Sequence, residues 1–215
     1  MQPFSRDQMA RRAADDIPEG WCVNLGIGIP TLVANHVPPD REVVFQSENG
    51  VIGMGPAPEK GREDPWLINA GKQPITLVPG ASFVGHADSF AMIRGGHIDL
   101  CVLGGFEVAE NGDLANWATS ENDTAPAVGG AMDLAAGAKR LWVLMEHTTK
   151  DGRPKVVERC GYPLTGPACV TRVYTSLAVL DLVPGRGFVV REMAPGVDFD
   201  ALQARSAARL HLDAC

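Results

Sequence analysis

Short apolar runs recur along the chain, and polar or Gly-rich segments separate them. The runs are nearly continuous rather than alternating, which predicts β-strands that are covered on both faces, as in a parallel sheet. The predicted strands span residues 21–28, 42–46, 74–78, 98–104, 140–145, 177–183 and 187–193.

Helices are predicted before and between several of these strands. Ser5 and Gln8 have the spacing of a capping box, which predicts a helix from about Arg6 to Asp16. Pro30 suits the first position of a second helix, because proline lacks the amide that the first turn leaves unpaired. Further helices are predicted over 82–95, over 129–139 and from the cap Asp198 onward.

Strands that alternate with helices indicate an α/β fold with a mainly parallel sheet. The sequence contains no internal repeat, low-complexity tract or linker, so residues 1–215 are expected to form a single domain.

The charge pattern excludes several classes of protein. The net charge is −7, and no cluster of Lys or Arg indicates a nucleic-acid or polybasic membrane surface. The N-terminal segment lacks the apolar core of a secretory signal, and no apolar run has membrane-spanning length. We therefore expect a cytoplasmic protein with no nucleic-acid or membrane partner.

The cysteines are odd in number and form no C-x-x-C pair, so neither a zinc site nor a disulfide framework is predicted. They are Cys22, Cys101, Cys160, Cys169 and Cys215.

Ligand sites in α/β sheets lie beyond the carboxyl ends of the strands, which directs attention to the segments that follow each apolar run. In LGIGIP, Gly26 and Gly28 lack the third glycine of a dinucleotide-binding fingerprint. Two compatible alternatives remain for them: a tight strand-to-helix turn, or a loop that approaches a substrate closely.

Three other kinds of chemistry find little support in the sequence: a metal site, a serine hydrolase and a cysteine nucleophile. His86-x-Asp88 and His97-x-Asp99 each pair an imidazole with a carboxylate, but no further ligand has a diagnostic spacing, so no metal site is predicted. A serine hydrolase would require G-x-S-x-G, which is absent. Cys101 has apolar neighbours, which would raise rather than lower its pKa.

The segment FQSENGVIGMG places Glu48 directly after a predicted strand. A glutamate in such a position is commonly solvated, and this structural role is one alternative. The turn dipeptide Asn49-Gly50 would instead present the carboxylate at a strand end, with Gly50, Gly53 and Gly55 leaving space for a ligand. An ionised carboxylate can act as a nucleophile without a general base. Asn49 would either orient this carboxylate or only form the turn.

S-E-N-G at residues 47–50 resembles the active-site signature of the B (β) subunits of family I coenzyme A transferases. The likeness continues through VNLGIGIPTLVAN, GMGPAP, LINAGKQPITLVPGASF, DSFAMIRGGHIDL, GDLANW, GGAMDL and VERCGYPLTG, which together resemble the 3-oxoacid CoA-transferase group. Within that group, PAVGGAMDLAAGAK and MEHTTKDGRPKVVERC are most similar to the 3-oxoadipate branch.

One segment departs from the acetoacetate branch of the group. Acetoacetate enzymes typically carry a Lys-bearing segment before GGAMDL, whereas TSENDTAPAV at 119–128 is acidic and has no lysine. The β subunit of an acetoacetate (3-oxobutyrate) CoA-transferase remains the alternative. The second S-E-N, at 120–122, lacks the glycine and the strand, and is not predicted to be a second site.

The resemblance implies a three-layer α/β/α sandwich and a ping-pong transfer from succinyl-CoA to a 3-oxoacid. Glu48 would carry CoA as a glutamyl thioester, so that CoA is both substrate and covalent intermediate, and no metal or permanently bound cofactor is needed. Gly130 matches the oxyanion amide, with Gly129 one residue away in register. Close helix–sheet packing is the structural alternative for this glycine pair.

The resemblance also implies a separate α subunit, in a heterotetramer, that supplies much of the CoA-binding surface. Two competing hypotheses share the fold or the site: a sensor domain that binds phosphate or CoA ligands without chemistry, and a thioester hydrolase. A sensor would normally be attached to a DNA-binding segment, and the sequence shows none.

Overall fold

The computed structural model describes residues 2–120 and 127–213. Its helices are α1 (Arg6–Asp16), a 3₁₀ helix (Ile29–Asn35), α2 (His86–Arg94), α3 (Ala131–Gly137) and α4 (Phe199–Gln203). Its strands are β1 (Cys22–Leu25), β2 (Val44–Ser47), β3 (Val51–Met54), β4 (Leu77–Phe83), β5 (Leu100–Gly104), β6 (Glu107–Ala109), β7 (Leu114–Ala115), β8 (Leu141–Met145), β9 (Val156–Val157), β10 (Val170–Thr175), β11 (Ala178–Val183), β12 (Gly187–Met193) and β13 (Leu210–Leu212).

Ten strands form one sheet in the order β13-β12-β11-β10-β8-β5-β1-β2-β3-β4. The five central strands, from β10 to β2, all pair in parallel. Antiparallel pairs extend the sheet on both sides, through β11 and β12 on one side and through β3 and β4 on the other, and the edge strand β13 pairs in parallel with β12. A small sheet, β7-β6-β9, lies apart from it. The predicted α/β class with a mainly parallel central sheet is confirmed.

Each face of the large sheet is covered by its own apolar layer. On one face, α1 contributes the small buried side chains of Ala10, Ala13 and Ala14, which let the helix approach the sheet closely. On the other face, α2 and α3 bury residues such as Ile93 and Leu134. Burial of these two layers supplies the main driving force for the sandwich.

The predicted capping box begins α1 as expected. The amide of Gln8 donates to Ser5 Oγ at 3.2 Å, and the amide of Ser5 donates to Gln8 Oε1 at 2.8 Å. At the other end of the helix, Asp16 accepts from Arg172 Nη1 at 2.9 Å and from the Tyr174 hydroxyl at 2.8 Å. Both partners lie on β10, so the helix is tied to the sheet at its carboxyl end.

Several predicted boundaries were wrong. The first residues of the helix predicted over 82–95 belong to β4, because β3 pairs with them through Val51 and Phe83. The segments that form β3 and β10 were not predicted as strands. Pro30 does lie in the first turn of a helix, but that helix is 3₁₀ rather than α. Among the described residues, no helix is long and apolar enough to cross a membrane.

His147 is a fully buried histidine in the core. Its ring nitrogens lie 2.9 Å from Thr175 Oγ1 and 2.9 Å from Ser206 Oγ. Burial lowers its pKa from 6.5 to about 4, and the positive charge of Arg205 acts in the same direction. The folded protein therefore keeps this imidazole neutral and fully hydrogen-bonded.

We predict that His147 makes the fold sensitive to mild acid. The unfolded chain takes up a proton near pH 6.5 and the folded chain only near pH 4, so stability is lost as the pH falls through this window. At pH 5 the loss is about 2 kcal/mol relative to pH 7.5. Chemical denaturation at both pH values should show a smaller pH dependence for His147→Gln than for the parent protein. Equal pH dependence of the two proteins would contradict this assignment.

Candidate active site

Glu48 lies in the tight turn that joins β2 to β3 as an antiparallel hairpin. The Gly50 amide donates to Ser47 O at 2.9 Å, and Gly50 has φ +110°. A Cβ at this position would lie only 2.3 Å from the backbone oxygen of Val84. Glycine is therefore required twice, by the backbone conformation and by the contact with the chain after β4.

The side chains next to Glu48 tie the turn to a neighbouring loop. Asn49 Nδ2 donates to Ile68 O at 2.7 Å, and Ser47 Oγ accepts from the Ala70 amide at 3.0 Å. The side-chain amide of Asn49 thus anchors the turn, which favours the second of the two roles considered for it.

The Glu48 carboxylate is partly buried beside α2 and α3. A Cβ added at Gly130 would lie 2.9 Å from Glu48 Oε2 and 2.9 Å from Phe90 Cζ. Burial raises the pKa of Glu48; His86 opposes the shift and Asp133 adds to it. Partial loss of hydration makes the ionised form less stable and hence more reactive.

The glycines that follow the turn are packed against the chain itself. A Cβ at Gly53 would lie 3.0 Å from Ala81, and one at Gly55 would lie 2.5 Å from Thr76 Oγ1. The sequence suggested that Gly50, Gly53 and Gly55 leave space for a ligand. That space is filled by β4 and by the residues on either side of it. That interpretation was wrong.

A cleft of about 600 Å³ opens where β1, β5 and β8 end, with Glu48 in its wall. The strands and their ends contribute Gly26, Gly104 and Gly105 to the lining, and the segment that leads into α3 contributes Gly129 and Gly130. The parallel centre of the sheet brings these strand ends together, as expected for an α/β fold.

The remaining predicted residues lie outside this lining. Asn49, Gly50 and Gly28 are not part of it. Gly28 has φ +92° and caps the 3₁₀ helix, so it serves the tight turn. Gly26 satisfies both alternatives, because it lines the cleft and a Cβ there would lie 2.8 Å from Leu103 Cδ2.

Three charged residues in the lining were not singled out from the sequence. They are Arg6, Glu146 and Lys155. Glu146 lies in the post-strand segment MEHTTK, which was a usable signal, but Lys155 reaches the cleft only because the chain folds back to form β9. Ala127 and Val128 also line the cleft, whereas residues 121–126 of the acidic segment 119–128 lie outside the described residues.

Neither thiol nor metal chemistry is evident in the described residues. Cys101 is fully buried, and burial is the first cause that raises its pKa. Four cysteines are free thiols within residues 2–120 and 127–213, and Cys215 lies outside these ranges. In the same ranges, no three His, Cys, Asp or Glu side chains are arranged to hold a metal ion.

Comparisons with known proteins agree with this geometry. The coenzyme A transferase family model matches residues 6–205. The chain is 57% identical to the B subunit of 3-oxoadipate CoA-transferase from Pseudomonas putida, over 96% of each chain. It is 52% identical to the B subunit of a probable succinyl-CoA:3-ketoacid coenzyme A transferase from Bacillus subtilis, over 95% of this chain and 94% of that one.

A solved structure shows the same fold. It is the Escherichia coli acyl-CoA transferase YdiF, in a thioester complex with CoA, with a TM-score of 0.75 at 22% identity. The match covers 99% of this chain but 43% of the YdiF chain, so this chain spans less than half the length of that protein.

We predict that the pKa of Glu48 responds in opposite directions to its two charged neighbours. Asp133→Asn should lower it, because a negative charge is lost and the paired Arg94 is released from its 2.7 Å contact. His86→Gln should raise it, because a positive contribution is lost. A ¹³C NMR titration of the side-chain carboxyl groups measures both shifts. The control is Asp151→Asn at an exposed carboxylate; if it shifted the pKa as much as Asp133→Asn, the assignment would fail.

Proposed function

The chain belongs to the coenzyme A transferase family, and on that premise we propose that it is the β subunit of an enzyme that moves CoA from succinyl-CoA to a 3-oxoacid. 3-Oxoadipate is the favoured acceptor, since the relative from Pseudomonas putida that carries this name is 57% identical. The observation that carries the proposal is the partly buried Glu48 carboxylate in the wall of the cleft, beside Gly130. The family match favours a transferase over a sensor domain.

In the proposed first half-reaction, an oxygen of Glu48 attacks the thioester carbonyl of succinyl-CoA. The carbon–sulfur bond breaks, CoA leaves as a thiolate, and a mixed anhydride between succinate and Glu48 remains. The thiolate then attacks the Glu48 carbonyl carbon, which releases succinate and leaves a glutamyl–CoA thioester. The acceptor carboxylate repeats these steps in reverse, so no net proton, metal or redox partner is required.

The site must also stabilise the negative charge that develops on each tetrahedral oxygen. Preorganised N–H donors supply about 3–4 kcal/mol each in such sites. The backbone of Gly130 lies beside the carboxylate, and a side chain there would displace it. This supports Gly130 as the oxyanion amide and explains why the position is a glycine.

Two anionic partners must meet at Glu48, so repulsion and desolvation oppose the reaction. Contacts to the remote part of CoA can offset this cost. Both relatives described above are named as B subunits, and we propose that a separate α subunit provides these contacts in a heterotetramer. The catalytic unit would then be the αβ complex and not this chain alone.

We predict that Glu48→Ala abolishes transfer in the purified αβ complex while the protein still folds and binds its partner. Loss of the nucleophile removes the covalent route, so the rate should fall by at least about four orders of magnitude. Initial rates of transfer from succinyl-CoA measure this. The matched control is Glu146→Gln, a second carboxylate in the same cleft, which should retain most activity. Near-normal transfer by Glu48→Ala would refute the mechanism.

We further predict that succinyl-CoA turns over only when a carboxylate acceptor is present, that the product is the CoA ester of the acceptor, and that free CoA is not released in quantity. Steady release from succinyl-CoA alone would indicate a hydrolase, and no reaction at all would indicate a sensor. A panel of 3-oxoadipate, acetoacetate and related short 3-oxoacids then ranks the acceptors by kcat/KM. A higher value for acetoacetate would overturn the choice of 3-oxoadipate.

A further inference from the structure

Lys155 is a partly buried lysine in the lining of the Glu48 cleft. Its Nζ donates to the backbone oxygen of Gly105 at 2.7 Å. Within the described part of the chain, no carboxylate lies within 4 Å of this ammonium group. Among the described residues of the lining, Arg6 and Glu146 form an ion pair with each other at 3.6 Å. A cation that loses hydration without an ionic partner is costly, and an anionic ligand would offset that cost.

The electrostatics of Lys155 agree with this geometry. Burial lowers its pKa, and Glu146 and Glu107 oppose the shift from a distance. Arg6 is the other basic residue in the described lining, but its side chain is 70% exposed, so solvent screens its charge. Lys155 is therefore the stronger candidate to bind an anion inside the cleft.

The position of Lys155 relative to Glu48 suits a ligand with two acidic ends. Glu48 follows β2, and Gly105, which holds the ammonium group, follows β5; β1 lies between them. Two strand spacings separate these backbone positions by roughly 10 Å. The two carboxyl carbons of 3-oxoadipate are five bonds apart, which spans about 6 Å when extended. With contacts of about 3 Å at each end the total is about 12 Å, which is comparable with this backbone separation.

We infer that Lys155 binds the far carboxylate of a dicarboxylic acyl group while its near end reacts at Glu48. This inference rests on the proposed function and adds the residue that selects the acyl group. An acceptor such as acetoacetate has a methyl group at its far end and gains nothing from the ammonium group. The same contact would serve the shorter succinyl group of the donor, because the lysine side chain is long and flexible.

The test compares Lys155→Met with Lys150→Met in the complex with the α subunit. Lys150 is an exposed lysine in the preceding turn. In a ping-pong reaction, kcat/KM for the acceptor reports only the acceptor half-reaction, so the donor does not obscure the result. For Lys155→Met, the ratio of kcat/KM for 3-oxoadipate to that for acetoacetate should fall about 30-fold or more. For Lys150→Met, the ratio should change less than about fivefold, and Lys155→Arg should recover part of the loss.

An equal loss for both acceptors would overturn the inference, because it would mean that Lys155 supports the fold or contacts CoA. Calorimetric titration of succinate into the same complexes gives a readout that does not require turnover. Succinate should bind the parent complex and bind Lys155→Met at least about 30-fold more weakly. No binding to the parent, or equal binding to both, would refute the role of Lys155. A parent complex that transfers CoA to neither acceptor would refute the proposed function, and the succinate titration would still decide the role of Lys155.

Discussion

The site depends on one backbone constraint, the glycine turn at the end of β2. Gly50 adopts φ +110° directly against the backbone oxygen of Val84. This contact clamps the turn between its own hairpin and the chain after β4, and so fixes where Glu48 leaves the sheet. Because this backbone contact and the hydrogen bonds of the Ser47 and Asn49 side chains hold the turn, the carboxylate can be kept partly dehydrated without moving to solvent.

The sheet explains why reactive and binding groups meet at this turn. The parallel centre ends its strands at one edge, where glycines leave the backbone accessible to a ligand. The antiparallel extension through β3 and β4 then places Glu48 at the side of that edge. Gly130 approaches from α3 and Lys155 from the segment before β9. Under the proposed function, the cleft joins a nucleophile, an oxyanion donor and an anion-binding group along one acyl chain.

The sequence predicted the elements whose signals are local. The capping box at Ser5 and Gln8, the continuous apolar strands and the turn after Ser47 all follow from short-range physical chemistry. β3 was missed because VIGM is short and contains a glycine, and β10 because it follows a Gly- and Pro-rich segment. The strands of the small sheet have only two or three residues, and their pairing depends on tertiary contacts.

Contacts between residues far apart in the chain could not be predicted from the sequence either. The sequence suggested open space for a ligand beside Gly53 and Gly55, but Ala81 and Thr76 occupy that space. Lys155 carries no local sign of function, since its position in the cleft results from the return of the chain to pair β9 with β6. Glu48 was proposed first from its place at a strand end before the Asn49-Gly50 turn, whereas Gly130 was proposed as the oxyanion amide from the family resemblance.

The most direct test of the account is mass spectrometry of the αβ complex after it is mixed with succinyl-CoA and no acceptor. The tryptic peptide 42–60, which contains Glu48, should gain the mass of CoA less one water. Adding a 3-oxoacid should remove this adduct. Full transfer activity with peptide 42–60 unmodified throughout would contradict the account.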